Sequence, residues 1–214
     1  MTKSTSLDRK RFAGLTALAA ATLALLIPSA SHAGALVHTS PNCDYQDASR
    51  VFLPWGDIAH YGLAPDGAFE SGGEGWSLSG GASVIDGNST HYVRSADDAK
   101  SLSLPAGSSA LSPTTCVGLE HPTLRFFSKK VSGSSLLSSM TVSVRTETAL
   151  GLVVELPVGV VTPTGSWQPT LPMTVVANLL PLLPGEYAPV QFRFTPVLGS
   201  WQIDDVYVDP TRRS

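Results

Sequence analysis

The sequence predicts an all-β protein, an antiparallel β-sandwich of jelly-roll topology that follows an exported leader and an irregular arm. Three observations point there. From residue 65 onward, short runs that alternate apolar and polar residues are separated by clusters of Gly, Ser, Pro and Asp. Past the leader, no stretch carries the three-to-four-residue apolar spacing of an amphipathic helix. Only 14% of the 214 residues are charged against 43% hydrophobic, so the surface draws its polarity from Ser, Thr, Gly and backbone.

The first 33 residues read as a signal peptide. Lys3, Arg9, Lys10 and Arg11 make a positive start, an apolar-to-neutral run follows from Phe12 to Ile27, and Ser31-His32-Ala33 offers small residues at a cleavage site. The run is shorter than the roughly 20 residues needed to cross a bilayer, and Pro28 interrupts a continuing helix. Cutting after Ala33 removes four basic residues and one acidic one, leaving 10 Lys+Arg against 16 Asp+Glu, a net charge of −6. That balance argues against a nucleic-acid partner, because nothing concentrates cations against phosphates. No lipidation cysteine follows the leader, so the mature form is expected to be secreted and extracellular, with no membrane attachment.

Residues 34–64 carry Pro41, Asn42, Pro54, Gly56 and Gly62 at intervals that break every periodicity, and read as a tethered arm. Cys43 in this arm and Cys116 beyond it are the only cysteines, and an oxidising compartment makes one disulfide between them the default. The bond would close a long loop, worth about 4 kcal/mol by chain entropy.

The sandwich is expected over residues 65–210, with a basic tail at 211–214. Its strands are expected at Trp76–Leu78, Ala82–Ile85, His91–Arg94, Ser101–Leu104, Thr123–Ser128, Met140–Thr146, Val153–Leu156, Val158–Val161, Val190–Thr195 and Trp201–Val208. The run Val190-Gln191-Phe192-Arg193-Phe194-Thr195 alternates as a half-buried strand must, and Met140, Val142 and Val144 do the same. Leu171–Pro184 is the most apolar stretch outside the leader. Three prolines forbid a continuous helix, so it reads as a buried strand and turn closing the end of the sandwich, with an exposed docking patch as the alternative.

Catalytic signatures are missing: no nucleophile elbow, no His-Glu-x-x-His, no convincing pair of cleft carboxylates. His60, His91 and His121 are scattered, and the glycines of Ser79-Gly80-Gly81-Ala82 make a turn rather than a phosphate cradle. The chain is expected not to be an enzyme.

Gly67-Ala68-Phe69-Glu70-Ser71-Gly72 with Gly75-Trp76, and the closing Trp201-Gln202-Ile203-Asp204-Asp205-Val206-Tyr207-Val208, resemble the first and last strands of carbohydrate-binding modules of the family 4/9/22 kind, within the galactose-binding-like jelly rolls. The chain also resembles a group of small secreted actinobacterial proteins that share Phe52-Leu53-Pro54-Trp55-Gly56-Asp57 and Cys116-Val117-Gly118-Leu119-Glu120, a likeness that names no activity. The first resemblance implies a secreted, non-catalytic module binding a polysaccharide or cell-surface glycan. It also implies one structural calcium ion on Glu70, Asp204 and Asp205, a chemically sensible oxygen-only set for a hard cation. Asp205 shares parity with Ile203 and points inward unless a bulge intervenes.

Sugar binding needs exposed aromatic planes, and Trp55, Tyr61, Tyr92, Trp167 and Tyr187 are the candidates; core packing is the competing role for each. Trp76 and Trp201 are expected in the seam between the sheets. The competing function is a structural or adhesive sandwich that docks protein partners through an apolar patch, without sugar specificity.

Overall fold

A computed structural model describes residues 48–118, 123–175 and 187–209. The chain divides into two units, residues 1–33 and 34–214, and the described residues all belong to the second. The expected leader, Cys43, and the tail 211–214 lie outside them.

Thirteen strands are described: β1 Gly62–Leu63, β2 Ser77–Ser79, β3 Ser83–Asp86, β4 Lys100–Leu104, β5 Ser109–Leu111, β6 Thr115–Gly118, β7 Thr123–Ser132, β8 Ser139–Glu147, β9 Val153–Val161, β10 Gln168–Pro169, β11 Met173–Thr174, β12 Tyr187–Leu198 and β13 Ser200–Val208. One 3-10 turn, Leu53–Trp55, precedes them. The first sheet runs β10-β7-β13-β4-β3, with β1 also on β13 and β11 also on β7; the second runs β2-β5-β12-β8-β9, with β6 also on β12. Every pairing is antiparallel. The architecture is the jelly-roll sandwich that the alternation predicts.

Alternation sets which side chains meet in the middle. Val190, Phe192 and Phe194 of β12, Met140, Val142 and Val144 of β8, Leu124 and Phe126 of β7, and Trp201 and Ile203 of β13 share one buried core. Trp76 and Trp201 both belong to it, as expected. The Trp76 indole N–H donates to the Pro65 carbonyl at 3.0 Å, so its polar end is satisfied.

Several strand expectations change. His91–Arg94 is not a strand but part of an irregular loop, 87–99, that returns over the first sheet. The two runs around Pro157 are one strand, β9, because β9 is a sheet edge where a missing N–H breaks no ladder, and the register shifts there between Val142 and Ser143. Strands β5 and β6 were not anticipated. Of Leu171–Pro184, Leu171 is exposed while Met173 and Val175 are buried; residues 176–184 lie outside the described residues.

The described part of the arm, residues 48–64, packs against the first sheet. Phe52 and Tyr61 are fully buried and join Phe127, Trp167 and Tyr207 in a second apolar cluster on the outward face of the first sheet. The Phe52 ring stacks on Phe127 at 5.6 Å and meets Tyr61 edge-on at 5.0 Å. A part-buried ion pair fastens this layer: the buried Arg125 donates to Asp57 Oδ2 at 2.7 Å and to the Thr170 carbonyl at 2.9 Å, and its guanidinium lies 4.2 Å from the Phe52 ring centre. Burial raises the Asp57 carboxyl, but hydrogen bonds from Ala59, Tyr61 and Arg125 outweigh it and hold the group below its ordinary range. Truncating Phe52 to Ala therefore costs about 3–5 kcal/mol in chemical denaturation, whereas Leu53→Ala, one residue on and half exposed, stays within about 0.5 kcal/mol.

Candidate functional site

The closing strand departs from regular pairing at its two aspartates. Asp204 lies opposite Phe127 and Tyr207 opposite Arg125, so β13 takes three steps while β7 takes two, and Asp205 adopts φ +51°. The bulge on which Asp205's direction depends is present. Both carboxyl groups are fully buried. Asp204 is engaged: its oxygens accept the Ser89 N–H at 2.7 Å and the Asp205 N–H at 2.8 Å. Neither oxygen of Asp205 has a hydrogen-bond partner.

Around this pair stand Glu70 and Asp98. Glu70 follows the buried Phe69, whose φ of +61° turns the chain there, and its Oε1 accepts the Ala99 and Lys100 N–H groups at 2.9 Å each. Asp98 is buried in a two-pronged bond from Arg94. Burial, then the neighbouring Asp205 charge, pushes Asp204 up to about 8. Burial, then the Asp98 charge, pushes Asp205 up to about 7. Sequence reasoning found Glu70, Asp204 and Asp205 but missed Asp98, Arg94 and Ser89, whose approach is made by loop 87–99 and has no local signature.

No group of three acidic, histidine or cysteine side chains among the described residues forms a ready metal cage. Asp204, with both oxygens on backbone N–H groups, serves as a cap. The orphaned Asp205 carboxylate and the second oxygen of Glu70 are oxygen donors that suit a hard cation completed by backbone carbonyls.

The five aromatic candidates do not form one exposed row. Tyr61 and Trp167 are buried in the second cluster, Trp55 is half-buried against Phe127 and His91, and Tyr92 is half exposed. Tyr187 lies on the other sheet, on the outward parity of β12. The Tyr61 hydroxyl donates to Asp57 at 2.8 Å and accepts from Thr123 at 3.1 Å, and burial pushes its pKa up to about 12. Lys129 sits 4.9 Å over the Trp167 ring, and His91 pairs with the Trp167 carbonyl, not with a carboxylate. Asp57 pairs with Arg125.

The second sheet's outward face holds a polar band. In register, Gln191, Arg145 and Glu155 share one row and Arg193 and Ser143 the next. Arg193 Nε donates to both oxygens of Glu155 at 3.1 and 3.2 Å, its Nη1 donates to Ser109 Oγ, and Ser143 donates to Glu155. A groove of about 480 Å³ runs along the side of the sandwich between β9 and the β10–β11 stretch, with Met173 and Leu171 among its lining.

No family model and no curated protein matches the sequence. Among solved structures, the chain is similar to the enzymatically active domain of bacteriophage CBA120 tailspike protein 4, at 15% identity over 68% of this chain and 21% of that one, with a TM-score of 0.44. It is similar to an endo-1,4-beta-D-xylanase of Clostridium thermocellum comprising a family 22 carbohydrate-binding module and a glycoside hydrolase module, at 13% identity over 69% and 28% of the two chains, with a TM-score of 0.47. The family 22 xylan-binding domain of Paenibacillus barcinonensis is similar at 13% identity over 69% and 93%, with a TM-score of 0.43. These are likenesses of fold. The chain spans only about a fifth of the first and just over a quarter of the second.

The raised aspartates fix a sign for pH dependence. Folded Asp204 and Asp205 keep protons that the unfolded chain gives up near its ordinary value of 3.8, so their contribution is full below about pH 4 and is lost as pH rises through 7 and 8. In EDTA the melting temperature is expected to fall between pH 5 and 8. Asp205→Asn should flatten that slope in differential scanning fluorimetry.

Proposed function

We propose that the chain is an exported, non-catalytic carbohydrate-binding-like module that takes its glycan on the outward face of the second sheet. One observation carries this: residues 48–64 cover the outward face of the first sheet, while the polar band of the second carries no such layer among the described residues. The band suits sugar hydroxyls, because Arg193, Glu155 and Gln191 present fixed planar donors and acceptors, and Tyr187 supplies an aromatic plane at the strand's start. The motifs at Gly67–Trp76 and Trp201–Val208 support the same reading.

Export accounts for the basic-then-apolar leader and for the cysteine pair, read here as a Cys43–Cys116 disulfide; the described residues include no free thiol. The intact mass of the exported protein, before and after reduction, reads both features. The same module holds one structural calcium at Asp205 and Glu70. Calorimetry is expected to return one calcium site, and calcium to raise the melting temperature of the native protein but not of Asp205→Asn.

Affinity electrophoresis in a panel of soluble polysaccharides tests the glycan. At least one should retard the protein, and Arg193→Ala should weaken that binding about tenfold through the loss of a charge-assisted hydrogen bond. Uniform mobility in every polysaccharide would overturn the proposal in favour of a protein-docking sandwich, the reading to which the burial of Tyr61 and Trp167 lends weight.

A further inference from the structure

We infer that loop 87–99 is a cation-dependent flap: a cation at Asp205 seats it, and its seating completes the second aromatic cluster. The inference rests on the reading of Asp205 as a cation ligand and extends it to a distant surface. The loop is held at its neck, where the Gly87 N–H donates to the Ala99 carbonyl at 2.7 Å. Carboxylates hold both of its ends, Asp204 on the Ser89 N–H and Glu70 on the Ala99 N–H. Its middle faces the other way. The His91 ring lies 5.1 Å from Trp55 and 5.0 Å from Phe127, its Nε2 is 3.2 Å from the Trp167 carbonyl, and Val93 packs on the same cluster. One segment therefore touches both the acidic centre and the aromatic layer.

The acidic centre is unbalanced as it stands. Glu70, Asp98, Asp204 and Asp205 gather around one guanidinium, that of Arg94, which Asp98 already occupies. Repulsion among these groups is relieved by a proton on Asp204 or Asp205, by an added cation or by movement, and once pH rises past about 8 only the last two remain. Asp204 and Asp205 sit in the bulge of β13, which is held by β7 on one side and by β4 before and β1 after it on the other, and Glu70 is anchored behind the buried Phe69. Asp98 travels with the loop. Tyr92, a bulky residue held at φ +47° in the middle of that loop, adds local strain that the seated conformation must hold. Losing the cation thus frees the loop first, and His91 leaves the Trp55 indole and the Phe127 ring that it covers.

Trypsin reports the flap directly, because Arg94 lies within it and its side chain is 38% exposed. With the purified protein, cleavage after Arg94, followed by mass spectrometry, should be about tenfold slower in calcium at ten times its Kd than in EDTA. Tryptophan emission should move to longer wavelength in EDTA as water reaches Trp55. Asp205→Asn should be cleaved at one rate in both conditions. His91→Ala should keep its calorimetric calcium affinity to within a few-fold while losing the calcium dependence of its emission. If calcium binds the native protein by calorimetry but leaves the Arg94 cleavage rate unchanged, the flap is wrong and the Asp205 site stands. If no calcium binds, both fall.

Discussion

The bulge in β13 is the constraint from which the rest of the first sheet follows. Before it, β13 pairs with β4 through Ile203; after it, with β1 from Tyr207. The extra residue lets Trp201 and Ile203 on one side, and Val206 and Val208 on the other, all reach the core while two aspartates pass between them. In the gap between β4 and β1, Val206 bonds instead to Ala64 and Gly67. A side chain on Gly67 would approach the Val206 carbonyl at 2.6 Å, so the close passage needs glycine there. Without the bulge, Tyr207 would exchange faces with Val206 and the aromatic layer would lose one of its rings.

That layer changes what the first sheet can do. Phe127, Tyr207 and Trp167 on its outward side would make an apolar platform, but residues 48–64 lie over them and convert the platform into a second core. The cover is both apolar and electrostatic: Phe52 and Tyr61 fill it, and Arg125 with Asp57 ties it to β7. Removing Asp57 would be costly, because the buried Arg125 guanidinium would keep an uncompensated charge. A surface for ligands has to be found on the opposite sheet or at the rim, where Trp55 and Tyr92 remain partly accessible.

How much of this could be read in advance differs by type of contact. Strands β8 and β12 were legible because their apolar residues alternate without interruption, and so were the two tryptophans of the core. Strands β5 and β6 were not, since Ser109–Leu111 and Thr115–Gly118 are too short and too rich in small residues to show a period. The buried role of Phe52 was invisible, because the short run Val51-Phe52-Leu53 before Pro54 shows no period and gives no hint of which face it will meet. At the acidic centre Glu70, Asp204 and Asp205 stood out by motif, while Ser89 reaches Asp204 across 115 residues of sequence and carries no signal of its own.

Charge is scarce in this chain, and its placement is informative. The described ion pairs are Arg94 with Asp98, Lys100 with Asp86, Arg125 with Asp57 and Arg193 with Glu155. Each closes a seam: a loop on itself, a strand on its neighbour, the outer layer on β7, and three strands of the open face to one another. Exposed pairs such as Lys100–Asp86 add little stability, so their value lies in register and position. Against that pattern Asp205 stands apart, fully buried, its carboxyl carrying no hydrogen bond and facing more acid than base. A sheet protein gains nothing in packing from such a group over an apolar residue of similar size. The proposed cation would supply the positive partner that this group lacks, and the loop that brings Asp98 beside it is the part of the fold with most to lose without one.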